Sequence, residues 1–374
     1  MSLTGWPLLI LLTAAVLAAV TGTIAGWRRL GRPGPLFTIA RLGAFAGTQA
    51  LVIGLVLVLV NRNFGFYATW GELAGAAGED GGRIVTSAKG SPTAVSQLIR
   101  RDPDPSFGHV PEKDGRLDTV DIRGVRSGLH ARAYVYLPPQ YFQPGGKERR
   151  FPVAVGLSGY PGAVRNLVDR VKVPQTALDE MNAGRVQPTV YVLLRPTIGQ
   201  GRDTECMDVL SGPQTATFLA QDLPEAVRGT YPVAADRSGW GVFGLSTGGY
   251  CSLKLAMRAS NVYSAAASMS GYYNAVKDVT TGDLYGGSDA VRNENDLFWR
   301  LRNLPAPPVS ALVTTSEQGE RNEAGTKRFL SLVKPPMQAD ALTLPVGGHN
   351  FETWNRVLPK VLQWMSSRLK TGKP

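Results

Sequence analysis

The sequence predicts an α/β protein, a mainly parallel sheet with helices on both faces, preceded by two transmembrane helices. Three observations carry this reading. From Arg116 onward, short apolar runs alternate with amphipathic segments, the pattern of strands that feed crossover helices. Before them, between Trp6 and Val60, stand two long and almost uncharged runs. Finally, "GWGVFGLSTGGYCSLKLAMR" (Gly239 to Arg258) reads as a buried strand, a serine between glycines, then a helix.

Composition bounds the answer. The chain has 374 residues, enough for one large domain plus an appendage. It is 43% hydrophobic and 18% charged, which supports a packed core and argues against long disorder. The net charge of +11 raises nucleic acid or an anionic membrane surface as partners. No dense Lys/Arg run, aromatic-basic alternation or nucleic-acid motif accompanies it, so no nucleic-acid partner is expected. Both cysteines, Cys206 and Cys251, lack a CxxC neighbour, and His109, His130 and His349 are far apart. Local metal spacing is absent, and no metal or cofactor is expected.

"WPLLILLTAAVLAAVTGTIAG" (Trp6 to Gly26) carries no charge and is long enough to cross a bilayer. "ARLGAFAGTQALVIGLVLVLV" (Ala40 to Val60) is a second such run, with Arg41 at its edge. A cleaved signal peptide fits poorly: no Lys or Arg precedes the first run, it is too long, and a second span follows. Arg28, Arg29 and Arg32 lie between the runs, which predicts a cytoplasmic loop and a C-terminal part outside the cytoplasm. The expected organisation is a transmembrane hairpin over 1–61, a juxtamembrane linker over 62–115 and a large domain over 116–374. Phe64, Phe66, Tyr67 and Trp70 suit the membrane interface, and "GAAGEDGG" (Gly75 to Gly82) suits a hinge.

In the large domain, "RLDTVDIRG" and "HARAYVYLPPQYF" read as an antiparallel pair stopped by Pro138 and Pro139. "FPVAVGLSG" and "PTVYVLLRP" are buried strands, and "TATFLAQDLPEAV" is an amphipathic helix. "YSAAASMSG", "VSALVTTS" and "ADALTLPVGG" supply further strands, and "NFETWNRVLPKVLQWMSSRL" a final helix.

"GLSTG" matches G-x-S-x-G, with Ser246 as its serine. A sharp strand-to-helix turn strains the serine backbone and admits only glycine-sized flanks, which exposes the hydroxyl at the C-terminal edge of the sheet. That context predicts the α/β-hydrolase fold. A serine hydroxyl needs a base, and the chain order on this fold is serine, acid, histidine. His349, in "GGHNFETW", is the one histidine downstream. The acid is sought in "VSALVTTSEQGERNEAG", where Glu317 comes first after the strand. Glu320 lies beyond Gly319, which lets the chain fold back, and Glu323 reads as the start of the next helix. Asp203, Glu205 and Asp208 precede the serine and break the expected order. Glu317 is preferred and Glu320 stands second. The oxyanion hole needs two backbone N–H groups, expected from Thr247 and from Tyr160 in "LSGYPG".

Cys251 follows Ser246 by one helical turn and a little more, and Cys206 lies in a loop after a neighbouring strand. Both belong near the same sheet edge, in an oxidising compartment, so a Cys206–Cys251 disulfide is expected.

"VYLPPQY", "LSGYPG", "GVFGLSTGGYCSLKLAMR", "SMSGYY" and "GGHNFETW" together resemble the esterase D-like esterases, over roughly Arg116 to Leu369. That superfamily contains the secreted mycolyltransferases of actinobacteria, the antigen 85 complex. The resemblance implies Ser246 as nucleophile, His349 as base, and Tyr160 and Thr247 as oxyanion donors. Trp354 matches an aromatic that follows the family's histidine. The sequence departs from the family in lacking a "GxxD" after the strand, which leaves the acid open between Glu317 and Glu320.

The expected protein is therefore a membrane-anchored, extracytoplasmic serine esterase or acyltransferase acting on an ester or acyl-lipid substrate. Acyl transfer to a cell-envelope sugar, as in the mycolyltransferases, is the alternative within the same chemistry. A catalytically silent binding module of the same fold is the alternative outside it. Oligomeric state is left open.

Overall fold

The computed structural model describes residues 5–64, 70, 95–198, 202–320 and 322–372. The chain divides into two compact units, Met1–Ala76 and Ala77–Pro374. Phe66, Tyr67 and the glycine-rich segment at 75–82, given interfacial and hinge roles above, lie outside the described residues.

The first unit is built on two helices, α1 (Trp6–Ala25) and α2 (Pro35–Phe64). Both are long and apolar enough to cross a membrane. Ile10, Leu17, Ile24, Ile39, Phe45 and Leu57 are each more than half exposed on their outer faces. At one end of the pair, the Arg62 guanidinium lies 3.7 Å over the Trp6 ring.

The second unit is a nine-stranded sheet in the order β1-β2-β3-β5-β4-β6-β7-β8-β9. The strands are β1 (Gln97–Pro103), β2 (Arg116–Arg123), β3 (His130–Leu137), β4 (Val153–Leu157), β5 (Val190–Leu194), β6 (Trp240–Leu245), β7 (Ala265–Met269), β8 (Ser310–Gln318) and β9 (Gln338–Val346). The first three pair antiparallel, β3 joins β5 antiparallel, and all pairs from β5 to β9 are parallel. Strands β4 to β7 are buried along their whole length, as expected where helices cover both faces.

Alternation along these strands divides the core. Val153, Val155, Val192, Trp240 and Val242 face one side, where they pack with α4 (Leu223–Thr230) and α5 (Thr247–Arg258). Ala154, Tyr191, Leu193, Phe243 and Ala267 face the other, with α3 (Val173–Asn182) and α8 (Phe351–Arg368). Two shorter helices, α6 (Leu297–Asn303) and α7 (Glu323–Leu332), flank the β8 region. This is the α/β-hydrolase fold.

One boundary differs from expectation. Strand β1 falls inside the segment 62–115 that reads as linker, so the sheet begins at Gln97. Its sequence, "QLIRRDP", has no apolar alternation because it is an exposed edge strand. Beyond its antiparallel ladder with β2, one ion pair ties it down: Arg101 Nε lies 2.8 Å from the buried Asp118 carboxylate on β2, which Arg116 of β2 also contacts at 2.7 Å. Just before β1, the Ser96 hydroxyl donates to the buried Asp222 carboxylate at 2.6 Å. Asp222 also accepts the backbone N–H of Arg126 and Ser127 from the β2–β3 turn.

Parallel strands share a direction, so the loops after β4, β5, β6, β7, β8 and β9 emerge at one edge of the sheet. Tyr160, Ser246, Ser270, Glu320 and His349 all stand in those loops or at their junctions.

Candidate active site

Ser246 joins β6 directly to α5, with φ 56° and ψ −120°. A non-glycine residue at positive φ is strained, and here the surroundings enforce it. The Ser246 N–H donates to the Met269 carbonyl at 2.9 Å, and its own carbonyl accepts from Gly249 and Tyr250, starting the helix. The flanking glycines are required by close approach. A Cβ on Gly244 would lie 2.3 Å from the Gly248 carbonyl oxygen, and one on Gly248 would lie 2.3 Å from that of Leu157. The chain after β4 thus presses on the turn that carries the serine. In the same loop, a Cβ on Gly159 would meet Ser246 Cβ at 3.2 Å, which places the backbone before Tyr160 against the nucleophile position. Thr247, buried, is the first residue of α5.

His349 sits between β9 and α8. The loop is pinned on both sides: Gly347 N–H donates to Gln318 O at 3.0 Å, and Gly348 N–H to Thr353 Oγ1 at 2.9 Å. Asn350 caps α8, its side chain accepting from Thr353 N–H at 2.9 Å. The imidazole packs edge-on to Trp354, with centroids 5.2 Å apart. Trp354 is itself fixed by its indole N–H, which donates to Ser270 Oγ at 2.9 Å. The result brings His349 Nε2 to 2.9 Å from Ser246 Oγ across 103 residues of sequence. The residue is open at the surface, yet protein surrounds much of the ring. Desolvation holds its pKa below the usual histidine value.

The two acid candidates separate clearly. Strand β8 runs two residues past the Ser316 at which the sequence pattern ends it, because Gln318 pairs with Val346 of β9. Glu317 is therefore still a strand residue, exposed, and acts on Lys327 of α7. The structure does not give it the place expected of the first residue after the strand. Gly319 follows, at φ +97°. A Cβ there would lie 2.4 Å from the Gly347 carbonyl oxygen, so the chain folds directly onto the backbone two residues before His349. Glu320 comes next. Both its carboxylate oxygens are buried and lack a hydrogen-bond partner among the described residues. Burial raises its pKa, opposed only by the Ser270 hydroxyl. An orphaned buried carboxyl of this kind calls for a cationic or N–H partner.

Cys206 and Cys251 are joined by a disulfide, with Cα atoms 5.9 Å apart. Beside it lies a polar cluster in which the buried Asp203 and Glu205, set aside by chain order, meet the buried Lys254 and the half-buried Tyr272. Ser270 is another residue that sequence did not single out. It stands at φ 53° after β7, between Trp354 and the Glu320 carboxyl. Among the described residues no cluster of His, Cys, Asp and Glu is placed to hold a metal ion.

Comparison with known proteins agrees with this fold. The family model described as "Putative esterase" matches residues 127–365. An uncharacterized protein of Corynebacterium glutamicum is 26% identical over 270 residues, covering 68% of this chain and 62% of that protein. The chain thus spans less than two thirds of that relative's length. Among solved structures, an S-formylglutathione hydrolase from Agrobacterium tumefaciens is similar with TM-score 0.57 and 15% identity, over 73% of this chain and 100% of that one. A ferulic acid esterase matches with TM-score 0.55 and 17% identity, over 74% and 99%. A fluorophosphonate-binding serine hydrolase of Staphylococcus aureus matches with TM-score 0.55 and 14% identity, over 67% and 98%. At these identities the structural likeness speaks for the fold.

Proposed function

The chain belongs to the "Putative esterase" family, and from that membership and its Ser246–His349 pair we propose that it is a serine esterase working through an acyl-enzyme. The single observation that carries the reading is the 2.9 Å approach of His349 Nε2 to a serine held at a strained strand-to-helix turn. In the resting state the Ser246 hydroxyl donates to the neutral imidazole. As Oγ attacks the ester carbonyl, Nε2 takes that proton, and the carbonyl oxygen gains a negative charge. The backbone N–H groups of Tyr160 and Thr247 receive this oxyanion, the second at the positive end of α5. His349 returns the proton to the departing alcohol, leaving an ester on Ser246. A water then gives its proton to His349 and attacks the acyl carbon, and Ser246 leaves with the proton restored. Glu320 is the acid of the set. Its buried carboxyl, which has no cationic or N–H partner among the described residues, gains one when it faces the imidazolium formed in each half-reaction.

The apolar hairpin supplies the location. A helix pair with this much exposed hydrocarbon is not stable in water and is stable in a bilayer. The disulfide fits an oxidising compartment. The enzyme is accordingly read as membrane-anchored with its catalytic unit outside the cytoplasm, on ester or acyl-lipid substrates. Labelling with a fluorophosphonate probe and hydrolysis of a short-chain nitrophenyl ester test the chemistry. Wild-type protein should label and turn over, and Ser246→Ala should do neither above about one part in a thousand. Undiminished turnover in folded Ser246→Ala would overturn the assignment.

A further inference from the structure

We propose that Glu205 is a positioning residue, acting through Tyr272 on Thr247 to hold the oxyanion side of the site. The proposal rests on the Ser246 reading above and concerns a group that chain order excludes from the acid's role.

Glu205 is buried, and its carboxylate ties together segments that meet behind the nucleophile. The Tyr272 hydroxyl lies 2.7 Å from both carboxylate oxygens, and Val276 N–H donates to Oε1 at 3.1 Å. Tyr272 belongs to the segment after β7, and its hydroxyl is close enough to the Thr247 side chain to feel it electrostatically. The chain of contacts therefore runs from Glu205 to Tyr272 to the residue that follows Ser246. Tyr272 stacks on Tyr250 of α5, with centroids 5.0 Å apart, so its ring has little freedom.

The backbone of Glu205 is fixed as firmly. Glu205 and Cys206 are consecutive non-glycine residues at φ 46° and φ 52°. Such strain persists only where the surroundings over-determine it, and it collects at functional sites. Here Cys206 is bridged to Cys251 of α5. The Lys254 ammonium, also on α5 and buried, donates to the Glu205 carbonyl. Glu205 N–H donates to Asp203 Oδ1 at 2.8 Å. Structural packing alone is served by apolar residues at lower desolvation cost, whereas a buried charged network specifies one arrangement. The arrangement specified is the position of Thr247 relative to Ser246.

This cluster also brings a titration to the site. Burial, then Asp203, pushes the Glu205 carboxyl up to about 7, and burial pushes the Lys254 ammonium down to about 7. The groups facing them are Asp203 and Asp208 from the loop of Glu205, Tyr250 and Arg258 from α5, and Tyr272 and Tyr285 from the segment after β7, while Asp278 faces Asp203. As pH falls through this range Glu205 gains a proton and ceases to be an anionic acceptor for Tyr272. The oxyanion side then loosens, and kcat falls.

The test compares full-length wild type, Tyr272→Phe and Glu205→Gln in detergent micelles. Fluorophosphonate labelling counts competent sites, and nitrophenyl acetate hydrolysis is followed from about pH 5 to about pH 9. The expected result is full labelling with kcat lowered on the order of 10- to 100-fold at unchanged KM, as for a small displacement of catalytic groups. Both variants should also lose the wild-type limb near pH 7 and keep the limb of His349 at lower pH. A purely structural role would lower the melting temperature and leave the pH profile of the surviving fraction as in wild type, and that result overturns the proposal. Should Glu205→Gln fail to fold, Tyr272→Phe, which removes one oxygen, decides alone. Wild-type protein that does not label would overturn the Ser246 reading and this proposal with it, a result distinct from either variant's behaviour.

Discussion

Ser246 and His349 are linked by one hydrogen bond, so the acid that completes them is decided by single side chains. Glu317 and Glu320 are three residues apart, yet one is open to solvent near Lys327 and the other is shielded, with no cationic partner among the described residues. An exposed carboxylate interacts weakly with a nearby cation, whereas a buried one gains strongly from an imidazolium. Glu320→Gln keeps the shape and removes the charge, and should lower kcat/KM by orders of magnitude, while Glu317→Gln should stay near wild type. Equal losses in the two would refute the choice of Glu320. The same measurement against pH carries a sign. Activity requires neutral His349, whose pKa is held below the usual histidine value by desolvation, so the His349 limb of kcat/KM should lie below that value, on the acid side of the limb assigned to Glu205. His349 was legible in the sequence because no other histidine follows Ser246. The acid was not, because where β8 stops is set by its pairing with β9, a contact that local pattern does not contain. Glu205 was hidden for a related reason: a disulfide and a lysine from α5 bring it to the site from before the serine.

At the scale of elements, the site is a junction of β4, β6 and α5 packed to backbone contact. Gly248 is where α5 presses on the end of β4: an added Cβ would meet the carbonyl oxygens of Leu157 and Ser158 at 2.3 and 2.5 Å. Both are backbone atoms in buried positions and cannot yield without moving the strand end or the helix. Gly248→Ala should therefore destabilise the domain by about 1–3 kcal/mol through overpacking. It should also slow fluorophosphonate labelling of the folded fraction, because the shift falls on the loop that bears Tyr160. A folded, fully reactive Gly248→Ala protein would show that this approach does not hold the site. The strands around the junction were readable because β4, β5, β6 and β7 are continuous apolar runs between turns. Strand β1 was not, since most of its side chains face water and its attachment rests on a backbone ladder with β2 and on the Arg101–Asp118 pair. An edge strand carries its charge as protection against further pairing, and that charge erases the pattern by which strands are recognised.

On the scale of the whole molecule, two independent features assign the catalytic unit to the same side of the membrane. Arg28, Arg29 and Arg32 lie between the two apolar helices, no Lys or Arg precedes Trp6, and a single arginine, Arg62, lies at the far end of α2. A bias of three charges to one over a short loop keeps that loop in the cytoplasm and sends both flanks outward. The disulfide is the second feature, since a Cys206–Cys251 bridge forms and persists in an oxidising compartment. An alkaline phosphatase reporter fused after Pro374 should accordingly be active, and a fluorescent protein that matures only in the cytoplasm should be dark there. Removing the three loop arginines and placing three lysines before Trp6 should reverse the bias. The reversed protein should leave Cys206 and Cys251 free to react with a thiol reagent after lysis, and its kcat for nitrophenyl acetate should fall as the loop bearing Glu205 loses its clamp. A cytoplasmic reporter that is bright on the wild-type chain, with the disulfide intact, would sever the two lines of reasoning and place the enzyme inside.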